Sequence, residues 1–132
     1  MKAMGYWTAT GILALALLGG GGAELARCQP TVEGIAHLGY PVYFVMIIGT
    51  WKVLGGAALL APGFARLKEW AYAGVFFNMT GAAISHAVCR DAAWHIVVTL
   101  GFAALAVASW AMRPGSRKIE RLSPAMRQGI SA

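Results

Sequence analysis

Residues 41–61 read PVYFVMIIGTWKVLGGAALLA, an unbroken apolar run whose one formal charge is Lys52. A helix rises about 1.5 Å per residue, so the run is roughly 30 Å long, the thickness of a bilayer's hydrocarbon core. It lacks the strict alternation of a barrel strand, and a barrel would need many such strands to close. Residues 41–61 therefore predict a transmembrane helix. Working outward, residues 3–23, 70–88 and 92–112 are apolar runs of similar length with no formal charge at all. The expected fold is an all-α membrane protein, an antiparallel bundle of four transmembrane helices over residues 1–113. Residues 114–132 follow as a basic tail.

The composition agrees. Hydrophobic residues make up 58% of the chain and charged residues 12%, against about a quarter charged in soluble domains. The net charge of +6 is distributed as a topology signal. Lys2, Arg66, Lys68, Arg113, Arg117, Lys118, Arg121 and Arg127 fall on one side of the four runs, and only Arg27 and Arg90 on the other. Basic residues are retained in the cytoplasm, so both termini are expected there, in a bacterial inner membrane. The excess charge is satisfied by anionic headgroups, and no nucleic acid is needed as a partner. A competing reading makes residues 1–23 a cleaved signal peptide, but Gly19 to Gly22 lack a clean A-x-A cleavage site.

The connections differ in character. Residues 24–40 form the longest outer segment, with Cys28, Pro30, Glu33 and His37, and are the expected lid or partner surface. Residues 62–69 predict a tight turn at Pro62-Gly63, followed by Trp70 and Tyr72 as interfacial anchors. Arg90-Asp91 is a minimal turn between the last two runs. The tail is expected to lie along the membrane or to remain disordered. Two small-residue stripes, Gly74, Asn78, Gly81, Ser85 and Gly101, Ala104, Ala108, Ala111, read first as helix-packing faces, with Asn78 and Ser85 also able to line a polar cavity.

Lys52 is the residue that most needs an explanation, because a lysine near the middle of a span costs about 2.5–3.5 kcal/mol on insertion scales. Its neighbours on the same helical face include Gly49, Gly55 and Gly56, which open space for a helix or a ligand. Depth ranks Asn78 as its first partner and Glu69, roughly 13 Å away along the axis, as the source of counter-charge if the lysine snorkels. At the opposite end His86, Cys89, Asp91 and His95 gather, but no tight ligand pair is present and no metal is assigned. Cys28 and Cys89 share the oxidising face, as a disulfide or as two thiols.

Gly39-Tyr40-Pro41, Gly49-Thr50-Trp51-Lys52 with Gly55-Gly56, Leu67-Lys68-Glu69-Trp70-Ala71-Tyr72-Ala73-Gly74 and Ser85-His86 together resemble the DoxX-like family of four-helix membrane proteins, across residues 5 to 113. The family's usual Gly-Asp turn after Ser-His is Arg90-Asp91 here. The resemblance implies a four-helix bundle and an association with redox systems, without an agreed catalytic set. The expected function is a module binding a small lipophilic ligand or a partner, as an accessory redox subunit, with a pocket around Lys52. Its site candidates are Lys52, Asn78, Ser85, His86, Glu69 and Trp51. The bound molecule is expected to be a quinone or lipid, and the protein partner a membrane redox protein or a second copy. The alternatives are an enzyme acting on a quinone or isoprenoid, and an oligomeric transporter.

Overall fold

The computed structural model describes residues 1–119 and 128–129. Among them the chain is entirely helical: α1 (Lys2–Leu25), α2 (Gln29–His37), α3 (Phe44–Leu60), α4 (Ala65–Val88), α5 (Ala93–Ala111) and a single 3-10 turn, Gly115–Arg117. The four apolar runs are the four long helices. α2 was not expected. It lies in the long segment read as a loop, and Pro30 occupies its first turn, where a missing N–H costs nothing. α1 and α5 are long and apolar enough to cross a membrane, and α3 is a shorter apolar helix. α4 starts five residues before its apolar run and so takes Lys68 and Glu69 into its first turns.

α1 packs along α3, α4 along α5, and contacts of α1 with α5 and α3 with α4 complete the cycle. Leu13, Leu17, Leu59, Tyr72, Val75 and Ala106 fill the centre. The outward faces carry Leu15, Trp51, Trp70, Phe77, Val88 and Val97, all largely exposed, an apolar exterior on a scale that marks contact with lipid rather than water.

Tyr72 departs from its expected interfacial place. It is buried, and a chain of hydroxyls joins it to Ser109 (2.7 Å) and Ser109 to Thr10 (2.7 Å). Burying three hydroxyls is tolerable because each has a partner. The α5 stripe is also corrected: Gly101, Ala104, Ala108 and Ala111 are exposed, and α5 packs instead through Ala103, Ala106 and Ser109.

No α-helix here has a side-chain N-cap among the described residues, but one C-terminus is elaborately served. The last carbonyls of α3 have no intrahelical donor. Arg117 donates to Leu59 O (2.8 Å) and Leu60 O (3.3 Å), and Lys68 donates to Ala61 O and to Gly63 O (2.7 Å). Arg117 also lies over the Trp7 ring at 4.6 Å. At the start of the tail Arg117 is thus buried as a clamp while Gly115, Ser116, Lys118 and Ile119 around it are exposed; the tail from residue 120 to 127 and from 130 to 132 lies outside the described residues.

Candidate functional site

The glycines around Lys52 divide between two neighbours. A Cβ on Gly49 would come within 2.9 Å of Glu24 Cβ and 3.0 Å of Gly21 O, and one on Gly56 within 2.9 Å of Leu18 Cγ. These two positions let α1 approach α3 closely. Gly55 meets nothing within 4 Å among the described residues and faces the other way, into a groove between α3 and α4.

That groove has two chambers. The larger, about 710 Å³, runs from Ile48 and Lys52 down past Gly55, Ala58, Ala71 and Gly74 to Phe64, Leu67 and Trp70, with Trp51 on its rim. The smaller, about 400 Å³, is bounded by Ile35, Leu38 and Tyr40 from the α2 region and by Gly81, Ser85, His86 and Thr99. Ile48, Lys52 and Asn78 line both, so they form the waist. The α4 stripe Gly74, Asn78, Gly81, Ser85, expected to pack on a helix, lines the groove along its length instead.

Lys52 Nζ donates to Glu24 Oε1 at 2.5 Å. Glu24 sits in the last turn of α1 and is 5% exposed. Gly21, one turn earlier, makes room for the lysine stem, since a Cβ there would lie 2.9 Å from Lys52 Cβ. Neither expected partner takes this role. Asn78 shares the waist without bonding the ammonium. Glu69 lies outside the groove, where it accepts from Trp110 Nε1 (2.8 Å) and from Arg113. The second carboxylate oxygen of Glu24 is buried with no partner among the described residues.

Asp91 organises the other end. His37 Nε2 bonds one of its oxygens at 2.6 Å and His86 Nδ1 the other at 2.7 Å. His86 stacks on His95, and His95 on Trp94. Arg90 supplies the turn with φ of +57°, the left-handed conformation that glycine adopts without strain. Tyr40 OH and Ser85 Oγ are 2.8 Å apart, and Cys89 Sγ reaches His37 O at 3.8 Å. Together these contacts hold the C-terminal end of α2 over the smaller chamber. Despite the gathering of histidines, no group of three His, Cys, Asp or Glu among the described residues is arranged to hold a metal ion. The cysteines do not meet. Both are free: Cys89 lies at the end of α2 and Cys28 is its N-cap residue, about 13 Å away by helical rise, far beyond bridging range.

The hydrogen bonds from His86 and then His37 hold the Asp91 carboxyl below the usual carboxylate range. A depressed folded-state value means that the latch contributes fully above the ordinary carboxylate range and is lost as pH falls through the lower value. Asp91→Asn is expected to speed amide exchange in residues 29–37 about tenfold at neutral pH. The parent should lose the same protection, measured against the unstructured-chain exchange rate at each pH, only on acidification. Equal exchange in the two proteins at neutral pH would show that α2 is held by other contacts.

Sequence reasoning missed Glu24 and His37 as partners. The apolar run ends at Ala23 and leaves Glu24 outside it, yet a buried lysine needs one of very few carboxylates, and counting them is the available signal. His37 falls in the long outer segment, where the sequence offers no signal that pairs it with Asp91.

A model of the DoxX-like family matches residues 8–109. No match is found among curated proteins or solved structures.

Proposed function

Because the chain belongs to the DoxX-like family, a family of membrane proteins, we propose that it is a multi-pass protein of the bacterial inner membrane whose α3–α4 groove binds a small lipophilic molecule. In this reading α1, α3, α4 and α5 form an antiparallel bundle with both termini cytoplasmic and α2 on the outer face. The opposed order of contacts supports it: Gly21 meets Gly49 while Leu18 meets Gly56. The basic residues support the orientation. Thiol labelling from outside should reach cysteines engineered in residues 29–38 and none beyond residue 114; external labelling of the tail would reverse the assignment.

The observation that carries the binding reading is an apolar groove about 710 Å³ in volume, within the usual range for small-molecule sites, whose polar members are gathered at one end. Lys52, the group best placed to act as an acid or base, is engaged with Glu24, so binding is favoured over turnover. The accessory redox role follows the family resemblance. A second reading, an enzyme acting on a lipophilic substrate, draws on His86, which lines the smaller chamber while bonded to Asp91.

Gly74 lines the groove and a Cβ there meets nothing within 4 Å among the described residues, so Gly74→Leu fills the cavity without displacing a neighbour. Native mass spectrometry in mild detergent should show a small molecule retained by the parent and absent from Gly74→Leu, with melting temperature preserved. Equal retention by both would place the molecule elsewhere.

A further inference from the structure

We infer that the groove selects an uncharged amphiphile, a lipid-soluble alcohol, ketone or ester, with its tail in the larger chamber and its oxygen-bearing head at the Lys52–Asn78 waist. This rests on the groove being a binding site.

The head follows from which polar groups remain unused. In the smaller chamber Ser85 is satisfied twice, donating to Gly81 O (2.9 Å) and lying 2.8 Å from Tyr40 OH, and Thr99 donates to the backbone of its own helix. His86 there is tied to Asp91 through Nδ1 and stacked on His95, which leaves its Nε2 as the one unpaired ring atom in that chamber among the described residues. At the waist the case is different. The Asn78 side chain has no hydrogen-bond partner among the described residues, although it lines both chambers. Lys52 has three N–H donors, one of which is directed to Glu24. Two side chains therefore present free donors, and Asn78 Oδ1 adds one free acceptor. A carbonyl or hydroxyl oxygen uses these donors, and a hydroxyl can also donate to Asn78.

Charge settles the rest. Glu24 already neutralises Lys52, so an anionic head would meet a carboxylate beside the ammonium, and a cationic head would meet the ammonium itself. Each would have to leave water without a compensating partner, which is costly at membrane depth. An uncharged head pays no such desolvation. The tail's place follows from the larger chamber, where Leu67 and Trp70 lie roughly 12–16 Å from the level of Asn78 by helical rise, with Trp70 at the far end to report on it.

The test uses three bromine-tipped twelve-carbon probes, 12-bromododecanol, 12-bromododecanoate at pH 8 and 1-bromododecane, titrated into the purified full chain in mild detergent. Quenching of tryptophan fluorescence is followed, because the terminal bromine should sit beside Trp70. The alcohol is expected to quench saturably at about tenfold lower concentration than either other probe, the effect of a well-formed hydrogen bond. Asn78→Leu should remove that advantage and leave the bromoalkane unchanged. Equal quenching by all three, or preference for the carboxylate, would overturn the inference while leaving a groove that binds chains without regard to head, as bulk lipid would. Absence of saturable quenching by any probe, or quenching that survives Gly74→Leu, would overturn the binding site itself.

Discussion

Glu24→Leu is expected to cost about 3 kcal/mol or more of stability in detergent, while the double variant Glu24→Leu with Lys52→Met returns close to the parent. Removing one partner of a buried ion pair strands the other charge, whereas replacing both with apolar groups of similar volume is often neutral or stabilising. The pair qualifies on geometry: the Glu24 side chain is 7% exposed and that of Lys52 20%. Had the lysine stood alone with Asn78, as its sequence position predicts, Lys52→Met would simply relieve a desolvation cost. With Glu24 present, Lys52→Met alone leaves a buried carboxylate and should destabilise as well. Thermal unfolding of the parent and three variants closes the cycle. Additive single effects, with no recovery in the double variant, would show that the two residues do not interact.

Glu24 also shows where the sequence ceased to be legible. The four long helices could be read because length and apolarity are written directly in the residue types. Helix ends could not be read to the residue. α1 runs two residues past its apolar run, which is enough to turn a loop glutamate into a buried one. α2 escaped notice because nine residues with mixed polarity give no decisive periodicity. The lining of the candidate groove was partly legible: Lys52, Asn78, Ser85 and His86 are on it, since polar groups among apolar ones are conspicuous, and Trp51 stands beside Lys52. Their partners were not, because which carboxylate reaches Lys52 depends on how far α1 and α3 are staggered.

The second large effect is expected at Gly21. Four glycines stand in a row at 19–22, and sequence alone treats them alike. In the structure a Cβ at Gly19, Gly20 or Gly22 meets nothing within 4 Å among the described residues, while one at Gly21 would lie 2.9 Å from Gly49 O, 2.9 Å from Lys52 Cβ and 3.0 Å from Val53 Cγ2. Two of those atoms belong to or adjoin the backbone and cannot swing away. Gly21→Val should therefore force α1 and α3 apart, costing about 1–3 kcal/mol or more as an overpacked contact does, and should weaken the Glu24–Lys52 bond with it. Gly20→Ala should be harmless and gain up to about 1 kcal/mol of helix propensity. Comparing the melting temperatures of the two variants checks both statements, and equal shifts would mean that the helices are not in close contact at Gly21.

The clamp made by Arg117 has a consequence in time. A chain is synthesised from its amino terminus at about 5–20 residues per second. Arg117 lies 58 residues beyond Leu59, whose carbonyl it serves, so that end of α3 exists for roughly 3–12 s before its donor does. During that interval the carbonyls of Leu59 and Leu60 must find other donors such as water, and of the two basic side chains that serve this end of α3 only Lys68 is present. A nascent chain halted after α5 would contain all of its long helices and still lack the residue that fastens the end of the second of them, α3. Fastening of that end of α3 is thus tied to the residues that follow α5 rather than to α5 itself.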